Sequence, residues 1–292
     1  MAITLATNVA SLSAQRHLSK TQHHLNKNLG RLSSGLRINS AADDAAGLAI
    51  SEALKSQIRS LKQAERNAMD GVSLLQTSES AMNEISAILT RMRELSIQSA
   101  NGTLGSTERG FLNTELNALT DEINRIAEVT EFNGLNVLNG SHASAVNALD
   151  FQVGIQAAST NQISVIIDDM HASQLGLNAA SSGGVAAAAS LDAIDITTVS
   201  GALAALNTID QAISDVSSNR ADLGAAQNRL EVTISNLQSA NENLSAANSR
   251  IRDVDIADET ASMARHNILM QSGVSVLAQA NQLPSIALSL LQ

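Results

Sequence analysis

Three histidines near the start of the chain, His17, His23 and His24, are its most evident candidates for metal ligands. The chain has no cysteine, and the first carboxylate after these histidines is Asp43. Their spacing also lacks the i, i+4 interval that places two imidazoles on one face of a helix. We therefore expect no metal site here.

Four acidic residues close together, Asp253, Asp255, Asp258 and Glu259, could suggest a calcium-binding loop. Such a loop needs a glycine at its sharp turn and a glutamate at a fixed distance beyond it, and neither is present. A polar connector that caps the following helix explains these residues better.

No group of residues has the pattern of a catalytic site. Gly102 and Gly105 are not followed by the Gly-Lys-Ser/Thr of a phosphate-binding loop, and no Gly-x-Ser-x-Gly occurs. Three Phe and no Trp or Tyr leave little material for an apolar substrate pocket. We expect no enzyme activity, no catalytic residues and no cofactor.

The composition favours long helices packed side by side. Ala, Leu, Ile and Val carry the apolar content, and Pro284 is the single proline. The absence of cysteine fits a reducing cytoplasm, and it equally fits a secreted protein that avoids thiols.

The net charge of -10 argues against binding to nucleic acid, because a phosphate backbone repels acidic surfaces. Residues 1–66 hold nine Lys and Arg against four Asp and Glu, whereas the rest of the chain holds nine against 24. A basic end facing an acidic body could align neighbouring copies, and solvated helix faces of differing charge explain the distribution equally well.

The first residues do not resemble a Sec-type signal peptide, since no basic segment precedes an apolar core. No run approaches the roughly 20 apolar residues that span a bilayer. We expect no membrane insertion, and a different export system if the protein leaves the cell.

Apolar spacing predicts helices in the first half of the chain. Near the start, Leu25, Leu29, Leu32 and Leu36 step by intervals of 4, 3 and 4. The segment 40–43, Ser-Ala-Ala-Asp, resembles a capping box from which a new helix should begin. One heptad frame then follows at Ile58, Leu61, Ala68, Val72, Leu75, Met82 and Leu89.

Glycines between Asn101 and Ser106 break this pattern, and a second, shorter helix is predicted around Leu112, Leu116, Leu119, Ile123 and Ile126. Asn-Gly turns at residues 133–134 and 139–140 precede two predicted strands, 151–155 and 163–167. The low-complexity stretch from Ala179 to Ser190 is predicted to be a surface loop.

The clearest periodicity lies in the second half. Large apolar residues recur at strict intervals of seven, at Val216, Leu223, Leu230, Leu237, Leu244 and Ile251. This spacing predicts a packing seam along a helix from about residue 202 to 252. After the acidic break at residues 253–259, a last helix is predicted from Ala261 to the C-terminus.

Several long motifs resemble the conserved ends of bacterial flagellins. The N-terminal motif is NLGRLSSGLRINSAADDAAGLAIS at residues 28–51. The C-terminal motifs are RADLGAAQNRL at 220–230, LSAANSRIRDVDIADE at 244–259 and SVLAQANQLPSIALSLL at 275–291. The resemblance covers about residues 1–175 and 200–292.

The resemblance implies a mainly α fold, in which long antiparallel helices from both ends of the chain pack in a coiled-coil bundle beside a small β-hairpin. It implies an inner coiled-coil domain lining the filament channel (1–42 plus 253–292) and a rod-like helical domain (43–177 plus 200–252). A low-complexity loop (178–199) would stand in place of the large outer domains, which makes this a minimal flagellin.

The family implies self-assembly into the extracellular flagellar filament that drives motility. Its chains travel unfolded through a type III export channel, and their terminal helices fold on assembly. The implied partners are other copies of the chain, a flagellar export chaperone, the filament cap and the hook-junction proteins.

The resemblance also implies recognition by innate immune receptors of a host. Arg91, Leu95, Gln98 and Glu115 match the region that a Toll-like receptor recognises in many flagellins, and the family uses this face for lateral contacts in the filament. Leu288, Leu290 and Leu291 match the C-terminal leucines linked to cytosolic recognition, and packing in the inner tube is their alternative role.

Two other functions remain open from the sequence. A flagellin-like protein at the junction of hook and filament shares the terminal helices, although the segment 277–284, Leu-Ala-Gln-Ala-Asn-Gln-Leu-Pro, favours flagellin itself. A soluble coiled-coil adaptor would also show long helical seams.

Overall fold

Long α-helices make up most of the protein. The computed structural model describes residues 7–177 and 190–289, with side chains up to residue 282. In that part of the chain there are five α-helices: α1 (Val9–Ser34), α2 (Ala45–Ala100), α3 (Ser106–Val129), α4 (Val199–Arg252) and α5 (Ile256–Ser289). The predicted mainly α fold is confirmed.

In the described residues between α3 and α4 there are two small antiparallel strand pairs. They are β1 (Glu131–Phe132) with β2 (Leu135–Asn136), and β3 (Leu149–Gln152) with β4 (Gln162–Val165). Asn133 and Gly134 join β1 to β2 with φ angles of 52° and 78°, the left-handed backbone that a tight hairpin turn requires.

The second hairpin differs slightly from the sequence prediction. Leu149 pairs with Val165 and Gln152 pairs with Gln162. Each strand therefore overlaps its predicted segment, 151–155 or 163–167, but begins and ends a few residues earlier. A 3₁₀ turn at Ser159–Asn161 directly precedes β4. The predicted low-complexity loop, Ala179–Ser190, lies outside the described residues except for Ser190.

The chain divides into two compact units. We call residues 1–58 with 242–292 the terminal unit, and residues 59–241 the central unit. The sequence placed its domain limits at residues 42 and 253 instead. The filament roles assigned to the two predicted domains stay predictions.

In the terminal unit, α1 and α5 pack against each other. Helix α1 ends at Gly35, whose φ of 70° is the left-handed conformation common at helix C-termini. The following residues then pair with the end of α4. The Arg37 amide donates to the Arg252 carbonyl (2.6 Å), and the Val254 amide donates to the Gly35 carbonyl (3.1 Å).

Two helices begin at different residues from those predicted. Helix α2 begins at Ala45 because the Asp44 carboxylate accepts the Gly47 amide at 2.9 Å, which caps the helix. The segment 40–43 forms a separate turn that the Asp43 carboxylate closes. Helix α5 begins at Ile256, before the predicted Ala261, because Asp255 accepts the amides of Ala257 and Asp258.

The central unit holds a continuous apolar core. Its largest fully buried side chains come from α2, α3 and the segments around the strands: Leu75, Met82, Ile85, Leu89, Met92, Leu95, Leu116, Ile123, Leu138, Ile167, Met170 and Leu175. The core cluster also includes α4 residues from Ala202 to Leu230. Most of the seam predicted on α2 contributes to this core, namely Ala68, Leu75, Met82 and Leu89, with Val72 packed against it.

The seven-residue repeat of α4 is buried along most of its length. Val216, Leu223, Leu230 and Leu237 are buried, whereas Leu244 and Ile251 are partly exposed. These last two residues belong to the terminal unit. The repeat is therefore buried within the central unit and partly exposed within the terminal unit.

Candidate interaction surfaces

Helices α1 and α5 form an antiparallel pair whose contacts continue over most of both helices. Residues early in α1 contact residues late in α5, and the reverse holds at the other end of the pair. The contacts are Asn8 to the Ala280 carbonyl (2.8 Å), Ser11 to Asn281 (2.8 Å), the stacked rings of His24 and His266 (5.3 Å) and Arg31 to Glu259 (3.7 Å).

Polar groups contribute much of what this pair buries. Asn28 and Glu259 are both buried. The side-chain amide of Asn28 is oriented so that both its nitrogen and its oxygen have hydrogen-bond partners. The nitrogen donates to Glu259 Oε1 at 2.9 Å, and the oxygen accepts from the Ser262 hydroxyl at 3.1 Å. A buried polar contact of this kind fixes the register of the two helices.

Little apolar surface is buried in the terminal unit. Among its described side chains, the buried apolar residues are Leu25, Ile38 and Ala280. Its exposed large apolar residues are Val9, Leu12, Leu29, Ile50, Ile256, Ile268, Leu269, Val274 and Val276. The terminal unit therefore presents a large apolar surface to solvent in a single copy.

Arg91 lies at the centre of an exposed ionic cluster on the central unit. Its guanidinium donates to Glu115 Oε1 on α3 through two nitrogens, at 2.8 and 3.1 Å, and to Glu94 one turn along α2 at 3.1 Å. The hydrogen bonds to Glu115, followed by those to Glu94, raise the pKa of Arg91 above its ordinary value. The cluster links the surfaces of α2 and α3.

Leu95 does not share this surface. Its side chain is 0% exposed and belongs to the core of the central unit, whereas Arg91, Gln98 and Glu115 are exposed. A partner could contact Leu95 only by unpacking the core, and the role of Leu95 as a contact residue stays a prediction.

Phe111 is the residue of this surface that the sequence reasoning missed. It lies one turn before Glu115 on α3, and 71% of its surface is exposed. An i, i+4 interval puts the two residues on the same helix face. The sequence could have indicated this residue, because Phe111 is one of only three Phe in the chain.

The other predicted residues are placed as follows. The described part of the structure does not include the side chain of Leu288 or any part of Leu290 and Leu291. His17 and His23 are exposed on α1. Within the described residues, no three His, Asp or Glu side chains are arranged to hold a metal ion, and no helix is both long and apolar enough to span a membrane.

Comparison with known proteins identifies the family. Residues 5–143 match the bacterial flagellin N-terminal helical region, and residues 206–291 match the bacterial flagellin C-terminal helical region. A flagellin from Bacillus subtilis is 47% identical over 302 residues, which covers 98% of each chain. The chain belongs to the bacterial flagellin family.

Other relatives extend this result to flagellins of distant bacteria. The flagellar filament 33 kDa core protein of Treponema phagedenis is 42% identical over 285 residues and 98% of each chain. Flagellin A of Vibrio cholerae is 40% identical over 383 residues and covers both chains completely. The flagellin ends are thus matched together with the sequence between them.

Solved structures show the fold. A protein described as flagellar hook-associated, from Vibrio parahaemolyticus, has a TM-score of 0.58 over 72% of this chain and all of that chain, at 18% identity. A Bacillus cereus flagellin has a TM-score of 0.46 over 63% of this chain and 94% of that chain, at 30% identity. The first similarity supports the fold alone.

Flagellins are a family of structural proteins rather than enzymes, and their copies polymerise into the extracellular flagellar filament. As a member of this family, the chain is a structural subunit of that filament.

Proposed function

We propose that the α1–α5 pair is the part of this flagellin that joins subunits, and that it becomes fully ordered only when neighbouring copies cover it. The observation that carries this proposal is the exposed apolar surface of the terminal unit, which includes Ile268, Leu269, Val274 and Val276 on α5.

The free energies favour folding that is coupled to assembly. Fixing the backbone costs about 1–2 kcal/mol per residue, while burial returns about 25 cal/mol per Å² of apolar surface. A helix pair that buries few apolar side chains has little to offset that cost. Additional burial between copies supplies what the single chain lacks, and heterologous contacts repeat without closing.

A double substitution on α5 tests this proposal. Replacing Ile268 and Leu269 with Gln should prevent polymerisation, because both side chains would be buried only between copies. The thermal midpoint of the central unit should not change. Sedimentation and negative-stain electron microscopy would measure the filaments, and circular dichroism would measure the midpoint.

The matched control is Gln271→Ala, which alters an exposed polar residue of the same helix and should polymerise normally. Deleting residues 1–38 or 261–292 should likewise leave a soluble, folded central unit that forms no filament. Normal filaments from either truncation, or from the double variant, would refute the proposal. Discrete small oligomers of the wild-type chain would favour the hook–filament junction alternative.

The same weak burial suits export of an unfolded chain through a narrow channel before assembly at the distal end. On this proposal an export chaperone covers the terminal segments inside the cell, and the filament cap and hook-junction proteins receive them outside. Limited proteolysis of the monomer should therefore cleave α1 and α5 while residues 59–241 resist. Equal resistance of the whole chain would contradict it.

A second proposed function is recognition by an innate immune receptor of a host. The observation in its favour is the exposed cluster of Arg91, Glu94 and Glu115, which offers both signs of charge on two adjacent helices. Complementary charges set the specificity of a protein interface. A reporter cell that expresses the Toll-like receptor should respond to the monomer, and a silent reporter would remove this proposal.

A further inference from the structure

One face of α1 combines exposed apolar and exposed basic side chains. Val9, Leu12, Arg16, Lys20 and His23 follow one another at intervals of 3, 4, 4 and 3 residues, which places them on one side of the helix. All five are exposed, and the exposed fraction is 64% for Val9 and 55% for Leu12. We call these five residues the basic face of α1.

The basic face points away from α5. The buried residues of α1 are Leu25 and Asn28, and the helical repeat places both on the other side of the helix. Asn28 is the residue that contacts Ser262 of α5. Helix α5 therefore leaves the basic face of α1 uncovered in a single copy.

No carboxylate of the paired segments neutralises this face. Residues 1–42 contain no Asp or Glu, and neither do residues 260–292, which supply most of α5. Among the described residues, Arg16 and Lys20 take part in none of the ion pairs of the terminal unit. Both cations are therefore free to meet an anionic partner.

The acidic residues that border the two segments already have partners. Asp43 binds Lys27 at 2.6 Å, and Glu259 faces Arg31 at 3.7 Å. Glu259 is also buried. Neither carboxylate can move to the basic face without giving up these contacts.

Helix α5 shows the same combination of side chains. Arg265, Leu269 and Val276 are exposed, and their intervals of 4 and 7 residues place them on one face of this helix. The mixture of free cations and exposed apolar side chains is therefore common to both helices of the pair.

An anionic lipid surface fits this mixture. Apolar side chains can enter the boundary between headgroups and acyl chains, while basic side chains remain with the phosphates. A nucleic acid would attract Arg16 and Lys20 but leave Val9 and Leu12 in water. The same face of a second copy would place like charges together, which disfavours contact.

We propose that the basic face of α1 binds anionic membrane surfaces in the unassembled chain. The helix lies in the plane of the membrane surface, with Val9 and Leu12 below the headgroups and Arg16 and Lys20 beside the phosphates. The cytoplasmic leaflet of a cell membrane carries negative charge, so this contact would hold the chain at that surface before assembly. The role of α1 in joining subunits is a separate claim, and a failure to bind lipid would leave it untouched.

Binding of the full-length monomer to vesicles tests the proposal. Dilute, unseeded monomer would be mixed with vesicles of about one part phosphatidylglycerol to two parts phosphatidylcholine, or of phosphatidylcholine alone, and bound chain separated by flotation. At about 0.05 M NaCl the anionic vesicles should bind at least about tenfold more tightly, and the difference should shrink at about 0.5 M. Cleavage by trypsin after Arg16 and Lys20, followed by mass spectrometry, should slow when anionic vesicles are added.

Two charge variants locate the contact. Replacing Arg16 and Lys20 together with Gln should weaken binding to the anionic vesicles about tenfold or more, because each basic residue adds to the attraction. The matched control replaces Arg59 and Lys62 with Gln, which removes the same charge from exposed positions of α2 in the central unit. The control should bind within about twofold of the wild type. Circular dichroism should show the same thermal midpoint of the central unit for the wild type and the α1 variant.

Leu12→Gln tests the apolar part of the contact at constant charge. It should weaken binding to the anionic vesicles, and the loss should persist at high salt because apolar burial is not screened. Binding equal to that of the wild type would overturn the placement of α1 in the lipid boundary.

Three further outcomes would contradict the proposal. The first is equal binding of the wild type to anionic and neutral vesicles, or binding to neither. The second is an equal loss in both charge variants, because net charge rather than α1 would then be responsible. The third is binding to soluble polyglutamate as tight as binding to vesicles, which would indicate an acidic protein as the partner.

Discussion

Arg91 on α2 directs two of its nitrogens to the same carboxylate oxygen of Glu115 on α3, at 2.8 and 3.1 Å. The two residues are 24 positions apart in the chain and lie on either side of the Asn101–Gly105 turn. Arg109 fixes that turn by donating to the carbonyls of Ser99 (2.8 Å) and Asn101 (2.9 Å). The geometry of this surface therefore depends on how α2 ends.

Replacing Arg91 with Gln should reduce the response of the receptor reporter at least about tenfold, because a charged interface residue is lost. The thermal midpoint should stay the same, since exposed ion pairs contribute little to stability. The control is Arg93→Gln, which removes the partner of Asp210 (2.7 Å) on another face of α2. An equal loss of signal in both variants would contradict a specific role for Arg91.

The buried and partly exposed members of the α4 repeat should differ in their contribution to stability. In the monomer, Leu230→Ala should cost about 2–5 kcal/mol of unfolding free energy, because it leaves a cavity in the core of the central unit. Leu244→Ala should cost about 1 kcal/mol, since Leu244 is already partly exposed. Urea unfolding followed by circular dichroism measures both values, and equal losses would contradict this distinction.

This contrast shows what the sequence could predict and why. The seven-residue spacing from Val216 to Ile251 predicted one helix and one packing face, because periodicity is a local property of the chain. It treated Leu230 and Leu244 alike, since the depth of burial depends on partners distant in sequence. The exposure of Leu95 depends on distant partners in the same way: a motif can single out a residue, but the packing of α2 decides whether its side chain is buried.

The packing of α1 against α5 could be predicted only from the family resemblance. The stack of His24 on His266 brings together residues from opposite ends of the chain, and nothing in the spacing of either helix encodes that contact. The starts of α2 and α5 were predicted within a few residues. Their precise limits depended on which neighbouring aspartate accepted the free amides, namely Asp44 and Asp255.

Two glycines in long helices should respond in opposite ways to the same substitution. A Cβ atom at Gly71 in α2 would lie 2.9 Å from the Phe151 ring of β3, so Gly71→Ala should destabilise the central unit by about 1–3 kcal/mol. At Gly224 in α4 a Cβ atom would meet nothing within 4 Å, so Gly224→Ala should stabilise by about 0.5–1 kcal/mol. Thermal unfolding of the monomer measures both changes.

The double variant Gly71→Ala with Phe151→Leu identifies the cause. If the ring is the obstacle, the cost of Gly71→Ala should fall in the Phe151→Leu background, because the smaller side chain can move aside. An unchanged cost would show that the strain arises elsewhere in α2.

The contact between Lys27 and Asp43 should make the terminal unit sensitive to low pH. The Lys27 ammonium, 2.6 Å from the Asp43 carboxylate, holds the pKa of Asp43 well below its ordinary value, and the amides of Ser40 and Asn39 lower it further. A lowered pKa in the folded state stabilises above the ordinary aspartate value of about 4, and this contribution is lost as the pH falls through the lowered pKa.

Asp43→Asn should therefore lower the thermal midpoint of filament disassembly by the same amount from pH 8 down to pH 5, and the difference from wild type should shrink only below about pH 4. In a Lys27→Met background the effect of Asp43→Asn should be smaller, because the main partner of the carboxylate is gone. A difference that instead disappeared between pH 7 and pH 5 would contradict the lowered pKa of Asp43.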